Sequence, residues 1–189
     1  MKIWVLYPPS EQNLRLMQTV EGQKAKLVSL AASLEGGVIV LTTSVHAIYI
    51  PAGCIHGTFT LIGGFLVTKD FTSMGSIMAF SWYLALNLHS CLGRQGKTLC
   101  FRWYLDCLDV AFNNGKAAQV LEAWIRAEVQ IQAFFVEKSS FAKAFRQAGK
   151  KYFFAGNIWH TSCPCGWKGE KESYRMHVED HHLSLAHRD

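Results

Sequence analysis

Two groups of residues in this chain have the types and spacing that site chemistry needs. The first lies near the C-terminal end, where Cys163-Pro164-Cys165-Gly166-Trp167 is followed by His177, His181 and His182. Two thiolates on a tight turn, facing histidines on a following helix, can enclose a tetrahedral zinc ion. His177 and His181 are four apart and share a helix face, and His182 offers a five-residue alternative. The candidate zinc ligands are therefore Cys163, Cys165, His177 and either His181 or His182. The single-residue gap between the cysteines is tighter than the usual two to four, and a His-rich terminus with two reduced cysteines is the plainer alternative. The second group is Pro51-Ala52-Gly53-Cys54-Ile55-His56. A histidine just beyond a Pro-x-Gly turn, at the start of a strand, is held on a rigid element with its ring facing inward, as a metal ligand requires. The same position also suits a hydrogen-bonded core or surface histidine.

These residues need elements to position them. Lys2 to Tyr7 is β-rich and is stopped by Pro8-Pro9, after which Ser10 can cap a short helix through Leu16. A second helical stretch covers Gln23 to Leu34. From Gly36 short β-runs follow at 38–41, 47–50, 58–61 and 65–68, separated by Gly36-Gly37, Pro51 to Gly53 and Gly63-Gly64. Such spacing predicts a sandwich or barrel. After Phe71 the apolar period lengthens, predicting helices over 73–92, 98–113 and 116–136. The aromatic stripe Trp82, Tyr83, Phe101, Trp103, Tyr104, Phe112 and Trp124 is read as helical core. Lys138, Lys143, Arg146, Lys150 and Lys151, interleaved with Phe141 and Phe145, form a basic amphipathic stretch read as a solvated face. From His160 the tail turns polar and rich in His and Cys, with Trp167 and Tyr174 as candidate core aromatics.

The first third carries a family likeness. Ala47-Ile48-Tyr49-Ile50-Pro51-Ala52-Gly53-Cys54-Ile55-His56-Gly57-Thr58-Phe59-Thr60, followed by Gly63-Gly64-Phe65-Leu66, resembles the last strands of JmjC domains. Lys2-Ile3-Trp4-Val5-Leu6-Tyr7-Pro8-Pro9 resembles the JmjC strand whose leading lysine pairs with 2-oxoglutarate, and Leu34-Glu35-Gly36-Gly37-Val38 resembles the glycine turn between them. The three matches fall in family order within residues 1–71. The resemblance implies an Fe(II) ligand at His56, a 2-oxoglutarate contact at Lys2 and a polar residue beside that cofactor at Asp70. It also implies a partial double-stranded β-helix of the jelly-roll or cupin kind. A neutral imidazole suits iron, and a cation on an inward strand suits a dicarboxylate. The family's iron also needs a His-x-Asp/Glu pair, and none occurs before His56. The expectation is thus a truncated, catalytically incompetent relative of histone demethylases and protein hydroxylases. The tail resembles a variant two-cysteine, two-histidine zinc finger.

The expected fold class is α+β: residues 1–71 the C-terminal portion of a JmjC-like barrel, 72–155 a helical bundle, and 156–189 a zinc-finger-like tail. About 35 residues of tail cannot bury enough apolar surface unaided, so it should need its metal. Half of the 189 residues are apolar, enough for a core, and the formal charge of +5 permits acidic partners without demanding them. Lys168, Lys171 and Arg175 could contact nucleic acid, although Glu170, Glu172, Glu179 and Asp180 are mixed among them, so a protein partner or chromatin fits as well. Ser and His residues are scattered without a nucleophile elbow, and there is no phosphate-binding glycine loop. Three of the six cysteines lie in apolar helix-like stretches, which argues for a reducing compartment; the nucleus is favoured over the cytoplasm. The most apolar window, Ile77 to Leu88, is broken by Ser81 and Asn87 and suits a buried helix better than a membrane span.

Overall fold

Lys2–Tyr7 forms β1, the central strand of a three-stranded antiparallel sheet ordered β2-β1-β3, with β2 at Val38–Thr42 and β3 at Ile55–Thr60. This is a computed structural model describing residues 1–21, 23–136, 139–155 and 161–184, with backbone alone at 23–25, 91, 94, 135–136 and 139–142. Lys138 and His160, and the side chain of Phe141, lie outside the described residues. The register pairs Lys2 with Thr42 and Thr60, and Leu6 with Val38 and His56. Alternation then places Lys2, Trp4 and Leu6 on one face with Thr60, Thr58 and His56. Ile3, Val5 and Tyr7 point to the other. On the first face, the Trp4 indole N–H donates to Thr42 Oγ1 at 2.9 Å and Lys2 Nζ donates to Thr60 Oγ1 at 2.7 Å.

The second face is covered by two helices, α1 at Glu11–Gln18 and α2 at Gln23–Leu30. Ser10 caps α1, its Oγ accepting from the Asn13 N–H at 3.2 Å. Asn13 is wholly buried and fully satisfied: its amide donates to Pro8 O and Glu35 O, and its carbonyl accepts from the Glu35 N–H, at 2.9–3.0 Å. Three bonds from one buried side chain tie the end of β1 to the approach of β2. Tyr7, Leu14, Leu30, Leu34 and Ile55 make the small core beneath, closed by Leu86 and Leu88 from the helical half.

The runs at 47–50 and 65–68, read as strands, form no ladder. A strand exists only where a partner accepts its hydrogen bonds. Among the described residues, β1 already has both neighbours, and β2 and β3 end the sheet. Phe65 and Val67 accordingly stand almost wholly in solvent.

The helical half follows the apolar periodicity closely. It consists of α3 at Ser76–Ala85, a 3-10 turn at Leu88–Cys91, α4 at Arg94–Asn113, α5 at Ala117–Val136 and α6 at Ser139–Phe153. The predicted 73–92 helix divides at Asn87, whose left-handed φ of 54° is a conformation asparagine tolerates. Helix α3 packs along α5, which also contacts α4 and α6. Phe101, Tyr104, Leu108, Val120, Trp124, Ile131, Phe145 and Phe153 are buried together; of the predicted aromatic stripe, Phe101, Tyr104 and Trp124 are core, Trp82, Tyr83 and Phe112 are partly buried, and Trp103 is half exposed. Tyr104 donates to Ala123 O at 2.7 Å. On α6, Phe145 turns inward and Lys143, Arg146, Lys150 and Lys151 turn outward; Lys151 pairs with Asp109 at 2.7 Å.

The chain is therefore α+β, with this sheet and, among the described residues, seven α-helices, the last being α7 at Lys171–His181. No described helix is long and apolar enough to cross a membrane. Cys54, Cys100, Cys107, Cys163 and Cys165 are free thiols.

Candidate metal centre

The tail builds its site from a hairpin turn and one helix. Ser162 bridges Lys168, the Cys163 N–H donates to Trp167 O at 2.8 Å, and the Gly166 N–H donates to Cys163 O at 2.9 Å. Closing this turn requires φ of +96° at Gly166, a region where a Cβ would be strained. The turn presents Cys163 and Cys165 on one side. Helix α7 then brings His177, and His182 follows immediately after it, its N–H still bonded to Val178 O at 2.9 Å.

Cys163 Sγ, Cys165 Sγ and one ring nitrogen each from His177 and His182 lie within 4.8 Å of one another. Cys165 Sγ is 3.3 Å from His177 Nε2, Cys163 Sγ is 3.4 Å from His182 Nε2, and the two Nε2 atoms are 3.2 Å apart. Zn–S bonds near 2.3 Å and Zn–N bonds near 2.0–2.1 Å in a tetrahedron separate neighbouring donors by about 3.3–3.8 Å. The donor set, with three separations of 3.2–3.4 Å and all four atoms within 4.8 Å, is one that could hold a metal ion such as zinc. Among the described residues no other group of three or more His, Cys, Asp or Glu side chains converges in this way.

Aromatic rings hold the imidazoles. Trp167 stacks on His177 at 4.6 Å between centroids and 6° between planes, and Phe153 of α6 stacks on His182 at 5.1 Å and 8°. Burial pushes the Cys163 thiol up to about 12; the backbone of Cys165 works against the rise, while the Cys165 side chain and Glu128 add to it. A bound cation reverses that logic, since a coordinating thiol is deprotonated outright.

Of the two alternatives after His177, the structure brings His182 into the group. His182 is 2 % exposed, whereas His181 is exposed and meets only the edge of the site, its ring 5.0 Å from that of His177. Helix α7 ends at His181, and His182 caps it with a near-helical backbone (φ −108°, ψ −21°) from which its ring reaches Cys163.

The sequence reading missed Glu128. This α5 residue is 12 % exposed at its side chain, and its Oε2 lies 2.6 Å from His182 Nδ1. The available signal was a lone carboxylate on the apolar stripe, one turn after Trp124 and just before Ile131.

The residues tied to the JmjC resemblance are arranged differently. Lys2 and His56 share a sheet face on adjacent strands, four register positions apart, which is about 13 Å along the strand. His56 is exposed, and its Nδ1 is 3.0 Å from Cys54 O. Asp70 lines a separate cleft of about 340 Å³ with Tyr49, Lys69, Phe71 and Trp103, which neither Lys2 nor His56 lines. Neither His56 nor Asp70 belongs to the converging group. No protein-family model, curated protein or solved structure matches the chain.

Proposed function

We propose that the chain is a zinc-stabilised, non-enzymatic module that engages a protein or chromatin partner. The convergence of Cys163, Cys165, His177 and His182 carries this reading. Four protein donors fill a tetrahedron and leave no open position for substrate, which is the pattern of structural rather than catalytic zinc. Lys168, Lys171 and Arg175 are exposed around the centre and give an acidic partner, nucleic acid included, something to meet; Arg175 also pairs with Glu179 at 3.3 Å. A nuclear location is part of the same proposal.

The test is metal content. The purified chain should hold close to one equivalent of zinc, and the Cys163→Ser/Cys165→Ser variant should lose it. Less than about half an equivalent in the parent, or unchanged content in the variant, would sink the reading.

A second reading is favoured by one observation, that Lys2 and His56 lie on the same sheet face. We propose on that basis that β1–β3 correspond to part of a JmjC-type double-stranded β-helix. Lys2 would be the 2-oxoglutarate contact, His56 the remaining Fe(II) ligand and Asp70 a polar neighbour. In this reading the chain by itself does not turn over 2-oxoglutarate, because a lone imidazole cannot replace a two-histidine, one-carboxylate triad. Iron-dependent succinate release from the purified chain, abolished by His56→Ala, would overturn that statement.

A further inference from the structure

We propose that Glu128 is the outer-sphere partner of the metal centre, and that the metal thereby fastens the tail to helix α5. The inference rests on the zinc reading of the Cys163, Cys165, His177 and His182 group. Both nitrogens of the His182 ring are committed. Nδ1 faces Glu128 Oε2 at 2.6 Å, and Nε2 faces Cys163 Sγ and His177 Nε2 at 3.4 and 3.2 Å. An ionised carboxylate can only accept, so in the neutral ring the proton sits on Nδ1, which leaves the Nε2 lone pair aimed among the other donors. Metal-bound histidines characteristically donate their second N–H to a carboxylate, which fixes the tautomer and raises the ligand's basicity.

The same geometry accounts for a carboxylate, only 12 % exposed, on a largely apolar helix stripe. Glu128 lies on the α5 stripe between Trp124 and Ile131, both fully buried, and a charge there is costly unless it is paired. His182 supplies the partner, and a cation on Nε2 makes the Nδ1–H a stronger donor. The path from metal to helix is then continuous: zinc, His182, Glu128, α5. Beside it, Leu183 seats against α6 where Gly149 has no Cβ, and Phe153 stacks on His182. Glu128 is a positioning residue rather than a ligand, since it acts through the ring.

The experiment compares the full-length protein with Glu128→Gln and Glu128→Ala, using zinc affinity by chelator competition and the absorption spectrum of the cobalt-substituted protein. Zinc binding should weaken about tenfold to a hundredfold in Glu128→Ala. It should weaken less in Glu128→Gln, whose amide oxygen can still accept from Nδ1–H. The cobalt ligand-field bands should keep a two-sulfur, two-nitrogen tetrahedral pattern in both, because no ligand is removed. Zinc should raise the melting temperature of the parent more than that of Glu128→Ala. If Glu128→Ala fails to fold, the parent against Glu128→Gln decides the matter. Equal zinc affinity in the parent and every folded variant overturns the role of Glu128 while leaving the centre intact. A parent that takes up neither zinc nor cobalt overturns the centre itself.

Discussion

Substituting Gly149 by alanine separates local helix propensity from tail docking. Gly149 lies in the last turns of α6. A glycine there costs about 1 kcal/mol relative to alanine when nothing else is involved, so propensity alone makes Gly149→Ala stabilising. The surroundings reverse the sign. A Cβ at 149 would drive into Leu183 Cδ2 and come within 3.2 Å of Trp124 Cζ2. Leu183 is 3 % exposed and Trp124 fully buried, so neither can yield without breaking the packing around it. Overpacking of this kind costs about 1–3 kcal/mol, and expelling Leu183 into water would cost about 1.5–3 kcal/mol instead. After the propensity gain, the expected net loss is up to about 2 kcal/mol, a melting temperature lower by up to about 8 °C for a chain of this size. Zinc affinity should fall with it, because Leu183 follows His182 directly. Thermal and urea unfolding with saturating zinc, beside chelator competition, measure both effects. A Gly149→Ala protein more stable than its parent, with unchanged zinc affinity, would show that the tail does not sit on α6.

Three further outcomes are expected. Asn13→Ala should cost about 1–3 kcal/mol in urea unfolding, because it removes the three hydrogen bonds by which the buried Asn13 amide holds the backbone of Pro8 and Glu35. Residues 1–71 expressed alone should associate, because Leu86 and Leu88 are then missing from the small core and the outer edges of β2 and β3 stay open among the described residues; a monomeric, cooperatively melting fragment on size exclusion would contradict this. Burial, with Lys97 adding, lowers His89 from 6.5 to about 4. With the folded value the lower one, the contribution of neutral His89 is whole above about pH 6.5 and fades as pH falls towards 4, so His89→Leu should flatten the stability profile in that window. A parallel fall in parent and variant would exclude the residue.

How far the sequence could be read varied with how local the determining physics is. The helices from Ser76 to Val136 follow from an apolar period that each segment carries by itself, and Ser10 caps α1 through a bond to a residue three positions on. The strands were less legible, because a β-run declares only its propensity. Phe65 to Thr68 has the residues of a strand and no ladder partner among the described residues, whereas Ile55 to Thr60 pairs along its whole length with β1. The donors of the tail were visible because their spacing is set within twenty residues of chain. The choice between His181 and His182 was not, since it depends on which ring packs against Phe153 and Glu128. Glu128 was hidden for a further reason: it lies 54 residues before the ring it supports, and only packing of the tail against α5 brings them together.

The contrast between His182 and His56 explains why we place the metal chemistry in the tail. A ligand binds strongly when its ring is already oriented and the other donors are already gathered, so that binding need not organise them. His182 is buried, stacked on Phe153, held at Nδ1 by Glu128, and faces three further donors. His56 is exposed, and its Nδ1 contact is the carbonyl of Cys54, which leaves Nε2 directed away from that carbonyl with no second donor gathered beside it among the described residues. A surface imidazole in that state exchanges metal freely with water. For His56 to hold iron, a histidine and a carboxylate would have to reach the same sheet face from elsewhere, bringing strands to the edges that β2 and β3 leave open. Adding such strands in trans, as a separate polypeptide carrying a His-x-Asp pair, should therefore create iron binding that depends on His56 and leave the zinc content of the tail unchanged. Iron uptake that survives His56→Ala in that mixture would place the metal elsewhere and remove the sheet from the argument.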